Sequence, residues 1–380
     1  MQRSLRIVTA YDSAFEGLSC LAGQIARAAA AAGHAVNSAT EPQAFLWLNH
    51  LPDRLLPAGG AVARTQYLVD HPLALDPASL DRLAQSSTFR LLTATPDGQH
   101  LLRLRWPRLA HAVCRHAVDD ALLCDPATIE PSHTLPPDRG GRPVDVLLSA
   151  SIRSQPEIDD LYEHLAPHLR TPAREIARIL SSSCRATFES AADLALSDAG
   201  SLDWRTLAGL WLAATADANR QRRLRTLAAL QGLPVRVHGP SAWAAHCTGT
   251  IEFAGPLPMH DLPAQLARAK VCLALGPTQF TLTHSERLLM ALAAGCAAVA
   301  DDRPLTRCAF APEGSPPAVA LFDADEPGSL RDTVDRLLAG PSARSCLAAE
   351  GRRSVAREHL WSHRLPALLG NPAKALAAAA

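Results

Sequence analysis

Between residues 126 and 143 the chain carries Pro126, Pro131, Pro136, Pro137, Gly140, Gly141 and Pro143. Proline lacks the N–H that a helix interior or a central strand needs, and glycine loses the most entropy on ordering. No regular element tolerates that density, so the segment reads as a linker between two bodies. A chain of 380 residues also suits two domains of roughly 150 to 200 residues better than one core.

On both sides of the break, short apolar runs alternate with helical stretches. LRIVTA (5–10), AFLWLN (44–49), TQYLVD (65–70), RLLTAT (90–95) and AVCRHA (112–117) are strand candidates before it, with an alanine-rich helix over 18–32 stopped at Gly33. After it come VDVLLSA (144–150), helical stretches near 155–182 and 203–231, then LPVRVHG (233–239), IEFAG (251–255), KVCLALG (270–276) and CAAVADD (296–302). Strand, helix, strand at this spacing predicts α/β domains with parallel sheets covered on both faces. Leu330, Val334, Leu337 and Leu338 share one helical face behind a Ser329 cap, and Gly340–Pro341 ends that helix. The expected layout is a first domain over 1–125, the linker over 126–143, a second domain over 144–350, a closing helix over 351–369 and a tail over 370–380.

Lys+Arg and Asp+Glu are both 37, so nothing in the charge balance argues for nucleic acid. No apolar run approaches the roughly 20 residues that cross a bilayer, and the start MQRSLRIVTAYDS has no apolar leader core. The nine cysteines form no CxxC and several sit in apolar runs, which reads as reduced thiols in a cytoplasmic protein.

The chemistry concentrates in THSERLLMALAAGCAAVADD, residues 283–302. Thr283-His284-Ser285-Glu286 matches a capping box, so Glu286 could simply serve backbone amides and Arg287 be a solvated charge. The functional reading starts from place. The preceding strand ends at Gly276–Pro277, which puts the helix start near the carboxyl edge of a parallel sheet, where such folds bind ligands. Helix amides with Arg287 and His284 make a phosphate site that needs no metal, and Glu286 can accept from sugar hydroxyls.

The run GPLPMHDLPAQLARAKVCLALGPTQFTLTHSERLLMALAAGCAAVADD resembles the donor half of GT-B glycosyltransferases, most nearly the group called spore maturation protein CgeB-like. YLVDHP (67–72), TATPDGQHLL (93–102), RPVDVLLSAS after the linker, LPVRVHGPSAW (233–243) and the ending LFDADEPGSLRDTVDRLLAGPSARSCLAAEGRRSVAREHLWSHRLPALL resemble family blocks in order. The likeness covers about residues 60 to 369. It implies two Rossmann-like domains facing across a cleft, the second binding a nucleoside-diphosphate sugar and the first an acceptor glycan or protein. By resemblance His238 and Gly239 lie near the nucleotide, and Gly276 and Pro277 line the loop before the donor helix. Ser285, Glu286 and Arg287 then meet the diphosphate-sugar, and Gly295 lets the helix turn into the next strand. The broader pattern has glutamates where this chain has Leu282 and Met290. Glu286, one turn before Met290, can do the same work; otherwise the donor geometry differs or activity is lost.

An inverting reaction needs a base from the first domain. His71, after Asp70 at a strand end, is the first candidate and Asp12 in the first βα loop the second; the plain alternative is that Asp70-His71-Pro72 is a turn. Asp97, His100 and His116 carry the same ambiguity. Asp323-Ala-Asp325 imitates a metal-binding Asp-x-Asp but precedes a helix, where acidic turns are common, and His359 with His363 lacks a third ligand. Trp243 can stack on a base or sit in the core, and Asp301–Asp302 can reach a donor hydroxyl or start a turn. The sequence therefore predicts a metal-independent, cofactor-free glycosyltransferase with a nucleotide-sugar donor. A sugar-nucleotide epimerase of the same architecture and a non-catalytic sugar-nucleotide-binding protein are the rivals.

Overall fold

The computed structural model describes residues 4–9, 16–37, 44–48, 63–123, 142–276 and 278–369. Asp12, Pro277 and nearly all of the expected linker lie outside the described residues. The chain divides into two compact units, Met1–Ala121 with Arg357–Ala380, and Leu122–Ala356.

In the first unit β1 (Ser4–Thr9), α1 (Glu16–Ala31), β2 (Ala35–Val36), β3 (Ala44–Leu48) and β4 (Ala63–Leu68) lead to α2 (Pro77–Ala84), β5 (Phe89–Thr93), α3 (Gln99–Arg105) and β6 (His111–Val113). The alternation read from sequence is all here, with β2 added. The sheet runs β2-β1-β3-β4-β5-β6, every pair parallel. That is a doubly wound order, with its switch between β1 and β3. Alanines let α1 pack closely, and the helix stops where expected because Gly33 takes a φ of 83°, a left-handed turn that other residues resist.

The second unit opens with β7 (Val144–Ser149), followed by α4 (Gln155–Glu163), α5 (Pro167–Ser182), α6 (Phe188–Ala195) and α7 (Trp204–Ala229). The single stretch expected over 155–182 is broken because Pro167 disfavours helical backbone at Ala166, which is extended with ψ 139°. α6, absent from the sequence reading, is set by a Thr187–Ser190 capping box. Then come β8 (Val235–His238), β9 (Ile251–Gly255), α8 (Leu262–Arg268), β10 (Ala269–Leu273), α9 (Glu286–Ala293), β11 (Ala297–Asp301), α10 (Pro304–Phe310), β12 (Ala320–Phe322), α11 (Pro327–Ala339) and α12 (Pro341–Glu358). Ser329 does not cap α11, whose first residue is Pro327 behind Glu326; its hydroxyl instead accepts the Asp323 N–H at 3.0 Å. The sheet order is β12-β11-β10-β7-β8-β9, all parallel. Renumbered from β7 this is 6-5-4-1-2-3, the dinucleotide-fold order, with its switch between β7 and β10. Alternate residues of those strands, Val146, Leu148, Val271, Leu273 and Val299, pack with Leu227 of α7, with Leu230 that caps it, and with Leu330 and Val334 of α11.

A last helix, α13 (Trp361–Leu368), belongs to the first unit, where Trp361 is fully buried and donates its indole N–H to Gln24 at 3.0 Å. His359, just before it, is buried, and that burial, with Arg364, Arg115, His363 and Arg357 nearby, pushes its pKa down to about 3. The unfolded chain takes up this proton near the ordinary histidine value of about 6.5. Stability is therefore expected to fall as pH drops from about 6.5 toward 3, because only the unfolded state gains the proton there. Replacing His359 by Phe should flatten that slope in urea unfolding measured across this range. An unchanged slope contradicts the assignment.

Candidate functional site

The carboxyl ends of β7, β8, β10 and β11 meet at the edge where a sheet of this order takes ligands. Four short segments build the edge. After β7, Ala150 accepts the Trp243 indole N–H at 2.7 Å, and its own N–H reaches the His238 carbonyl at 3.1 Å. That crossing fixes Gly239: a Cβ there would lie 2.2 Å from the Ala150 carbonyl oxygen and 2.7 Å from the Trp243 ring. Both obstacles are buried backbone or core ring, so neither can yield. Gly239→Ala is expected to cost at least about 3 kcal/mol, at the upper end of overpacking, read as a lower urea midpoint; a loss under about 1 kcal/mol contradicts the contact. Trp243, fully buried in the main cluster, is a core residue.

His238 ends β8 with its Nδ1 3.3 Å from the Gly255 carbonyl oxygen. A carbonyl only accepts, so Nδ1 holds the proton and Nε2 keeps its lone pair. Burial first, partly offset by Gly255, lowers the His238 pKa. The ring is neutral at physiological pH.

At the ends of β10 and β11 stands one buried carboxylate that gathers its neighbours. Asp301 accepts the Gly276 N–H at 2.9 Å, the Arg303 Nε–H at 2.6 Å and, at 3.4 Å, an Arg222 N–H; the Cys184 thiol donates to it at 3.7 Å. Arg303 also donates to the Gly276 carbonyl at 2.8 Å. A Cβ on residue 276 would sit 2.4 Å from the Arg303 guanidinium carbon, which is why glycine stands there. Burial raises the Asp301 pKa, but Arg303, Arg222 and the Gly276 amide outweigh it and hold the carboxyl below its ordinary range.

Arginine outnumbers acid here. Arg222 and Arg223 come from α7, whose Thr215, Asn219, Arg222 and Thr226 lie on one face. Arg223 donates to the Ser151 carbonyl beyond β7. Its own burial, then the charges of Arg287 and Arg303, push its pKa down to about 9, with Asp301 pulling the other way and Arg222 adding to the fall. A buried guanidinium set among like charges, as Arg223 is beside Arg287, Arg303 and Arg222, is electrostatically short of an anion.

Arg287 belongs to the first turn of α9. The capping box expected at Thr283–Glu286 is not formed: the helix begins at Glu286, Ser285 is its N-cap, and the cap makes no side-chain bond. Thr283 is buried before the helix because residues 282–285 run against α10, with the Leu305 N–H on the Leu282 carbonyl at 2.9 Å and the His284 ring edge-on to Phe310 at 4.9 Å. Ser285 Oγ is buried and has no hydrogen-bond partner at the start of α9, where the Leu288 N–H turns back to the Ser285 carbonyl at 3.2 Å. Glu286 and Arg287 are half-buried in that first turn. α7 holds the loop in front: Asn219 accepts the Thr278 N–H at 2.7 Å, and the Thr278 hydroxyl donates to the Thr215 carbonyl at 2.8 Å.

Gly276, Ser285, Glu286, Arg287, His238 and Gly239 are thus carried to one sheet edge. His284 packs behind it, and Gly295, φ 67°, turns α9 into β11 at the opposite, amino edge. His71 lies past β4 in the first unit, where it is buried and its Nδ1 accepts the Leu73 N–H at 3.2 Å, as a helix cap does. Asp323 accepts the Asp325 N–H at 2.9 Å, forming a turn before α11. Among the described residues no group of three or more His, Cys, Asp and Glu is placed to hold a metal ion. Arg222, Arg223 and Arg303 went unread in the sequence. Their signal was Arg222–Arg223 on the face of α7 and Arg303 directly after a strand ending in Asp301–Asp302.

Residues 220–370 match the family described as glycosyl transferase-like. Over its whole length the chain is similar in fold to a sucrose-phosphate synthase from Thermosynechococcus elongatus, with a TM-score of 0.51, 13% identity and all of both chains covered. A glycosyltransferase from Rickettsia africae covers 97% of this chain and 99% of its own at 9% identity and a TM-score of 0.48. A UDP-forming trehalose-phosphate synthase from Burkholderia xenovorans covers 87% and 74% at 10% identity and 0.48. No curated protein sequence matches. The fold is GT-B, two Rossmann-like α/β units in one chain. No described helix is long and apolar enough to cross a membrane.

Proposed function

We propose that this chain is a metal-independent glycosyltransferase that moves a sugar from a nucleoside-diphosphate donor to a glycan or protein acceptor. The observation that carries the reading is the excess of guanidinium at the carboxyl edge of the second sheet, set beside the uncapped first turn of α9. A diphosphate supplies the missing negative charge, accepts from the α9 amides and Ser285, and pairs with Arg287 and Arg223. Arginine and helix amides also stabilise the diphosphate as it leaves, which is the electrostatic task of the transfer step. Glu286, in the same turn, is assigned to the sugar hydroxyls in place of the glutamates replaced by Leu282 and Met290, and the neutral His238 to the nucleoside.

The likeness of residues 220–370 to glycosyl transferase-like proteins supports the class, and the sequence likeness to the CgeB-like group favours that branch within it. For an inverting reaction the base belongs to the first unit. His71 and Asp12 are its candidates, His71 having to release the Leu73 amide before its Nδ1 could take a proton. A cytoplasmic site of action and the absence of a cofactor complete the proposal. Calorimetric titration with UDP, GDP and dTDP tests it: one of them binding the full chain supports the donor edge, and none binding at millimolar concentration contradicts it.

A further inference from the structure

Among the described residues three large apolar side chains stand exposed: Leu104 at 64%, Leu194 at 76% and Leu212 at 39%. Leu194 follows Asp193, and Leu212 lies between Trp211 and Ala213. Leu104 alone is set between cations, Arg103 and Arg105, in the last turn of α3. Successive residues of a helix turn by roughly 100°, which places the buried Gln99 and Leu102 on one side of α3. The opposite arc runs from Arg103 through His100 and Leu104 to Arg105, so the leucine stands at its centre. All four are exposed, as is Arg108 just past the helix.

The charge on this face is one-sided. No Asp or Glu occurs from residue 98 to residue 118, in a chain whose formal net charge is zero. Neither Arg103 nor Arg108 makes an ion pair among the described residues, and the charge of Arg103 adds to burial in lowering the His111 pKa. Asp81 of α2 accepts the Trp106 indole N–H at 2.7 Å and stands beside Arg82, which donates to Ser79. A helix C-terminus favours cations, which accounts for arginines in the last turn. It does not account for a leucine held in water between them, or for Arg108 beyond them.

We propose that the outer face of α3 docks on an anionic lipid surface. Arg103 and Arg108 meet headgroup phosphates, Arg105 adds charge, and Leu104 enters the acyl boundary. Such a surface uses both halves of the face: guanidiniums pair with phosphate, and the leucine leaves water. A nucleic acid offers the phosphates without an apolar layer. The contact is peripheral, needs no spanning helix, and does not rest on the donor edge, which belongs to the other unit.

The test is co-sedimentation of the full chain with vesicles of equal parts phosphatidylglycerol and phosphatidylcholine, and with phosphatidylcholine alone. The mixed vesicles should bind it, less so as salt rises, and the neutral ones should not. Arg103→Ser combined with Arg108→Ser should weaken the partition at least about tenfold, each arginine at such a surface being worth about fivefold. Leu104→Ser should weaken it at least about threefold, which a purely electrostatic contact does not predict. All three positions are exposed, and urea midpoints of the variants separate lost binding from lost folding. No binding to the mixed vesicles, equal binding to the neutral ones, or binding undiminished by either substitution overturns the proposal. Retention on polyuridylate without vesicle binding overturns it too and makes the face a site for an acidic polymer.

Discussion

Asp301→Ala should lower the stability of the second unit by about 3–5 kcal/mol, the usual penalty for removing one partner of a buried ion pair. Arg303 is fully buried and its Nε has its 2.6 Å contact with this carboxylate. Without it the guanidinium is left in the core against Arg222 and Arg223, and the Gly276 N–H loses its acceptor. Asp301→Asn keeps an acceptor for Gly276 and loses only the charge, so it should fall between wild type and alanine. The pH dependence has a definite sign. Because the folded protein holds this carboxyl below its unfolded value, its contribution is present at neutral pH and disappears as pH falls through the depressed folded value. Urea unfolding at pH 7 and in acid checks this: the gap between wild type and Asp301→Ala should narrow in acid. A loss under about 1 kcal/mol at pH 7 would mean that Asp301 does not hold the arginines together.

Arg287→Ala should behave in the opposite way. Its side chain is half-buried, makes no cap for α9, and adds to the positive charge that already depresses Arg223. Removing it should leave the urea midpoint unchanged or slightly raised. Nucleoside-diphosphate affinity, by contrast, should weaken about 10- to 100-fold, as loss of a charge-assisted bond worth roughly 1.5–3 kcal/mol requires. An Asp301 variant loses stability and binding together; an Arg287 variant loses binding alone. Equal affinity in wild type and Arg287→Ala would remove the diphosphate from the first turn of α9.

The elements were legible where local chemistry decides them. Ten of the twelve strands follow from apolar runs, the two- and three-residue β2 and β12 being too short to show as one, and Gly33 and Gly295 mark helix ends because each takes a positive φ. Two helix starts were misread for different reasons. Thr283 and Ser329 satisfy the capping pattern in sequence, but a tertiary contact ties Leu282 to α10 ahead of α9, and Pro327, with its preset φ, takes the first position of α11 two residues before Ser329. The α9 half of the site was visible because Ser285–Arg287 and Gly276 lie close in sequence. The arginine half was not, since Arg222 and Asp301 are 79 residues apart and a lone Arg-Arg pair in a helix usually marks a solvated face. Only the fold brings them together.

The most direct test of glycosyl transfer is nucleoside-diphosphate release from a panel of nucleotide sugars, with and without a glycan and protein extract of the source cells, resolved by chromatography. One donor should yield free nucleoside diphosphate, and the extract should accelerate its release while taking up the sugar. Appearance of an isomeric nucleotide sugar without acceptor, or tight donor binding with no release under either condition, would contradict transfer and leave an epimerase or a binding protein.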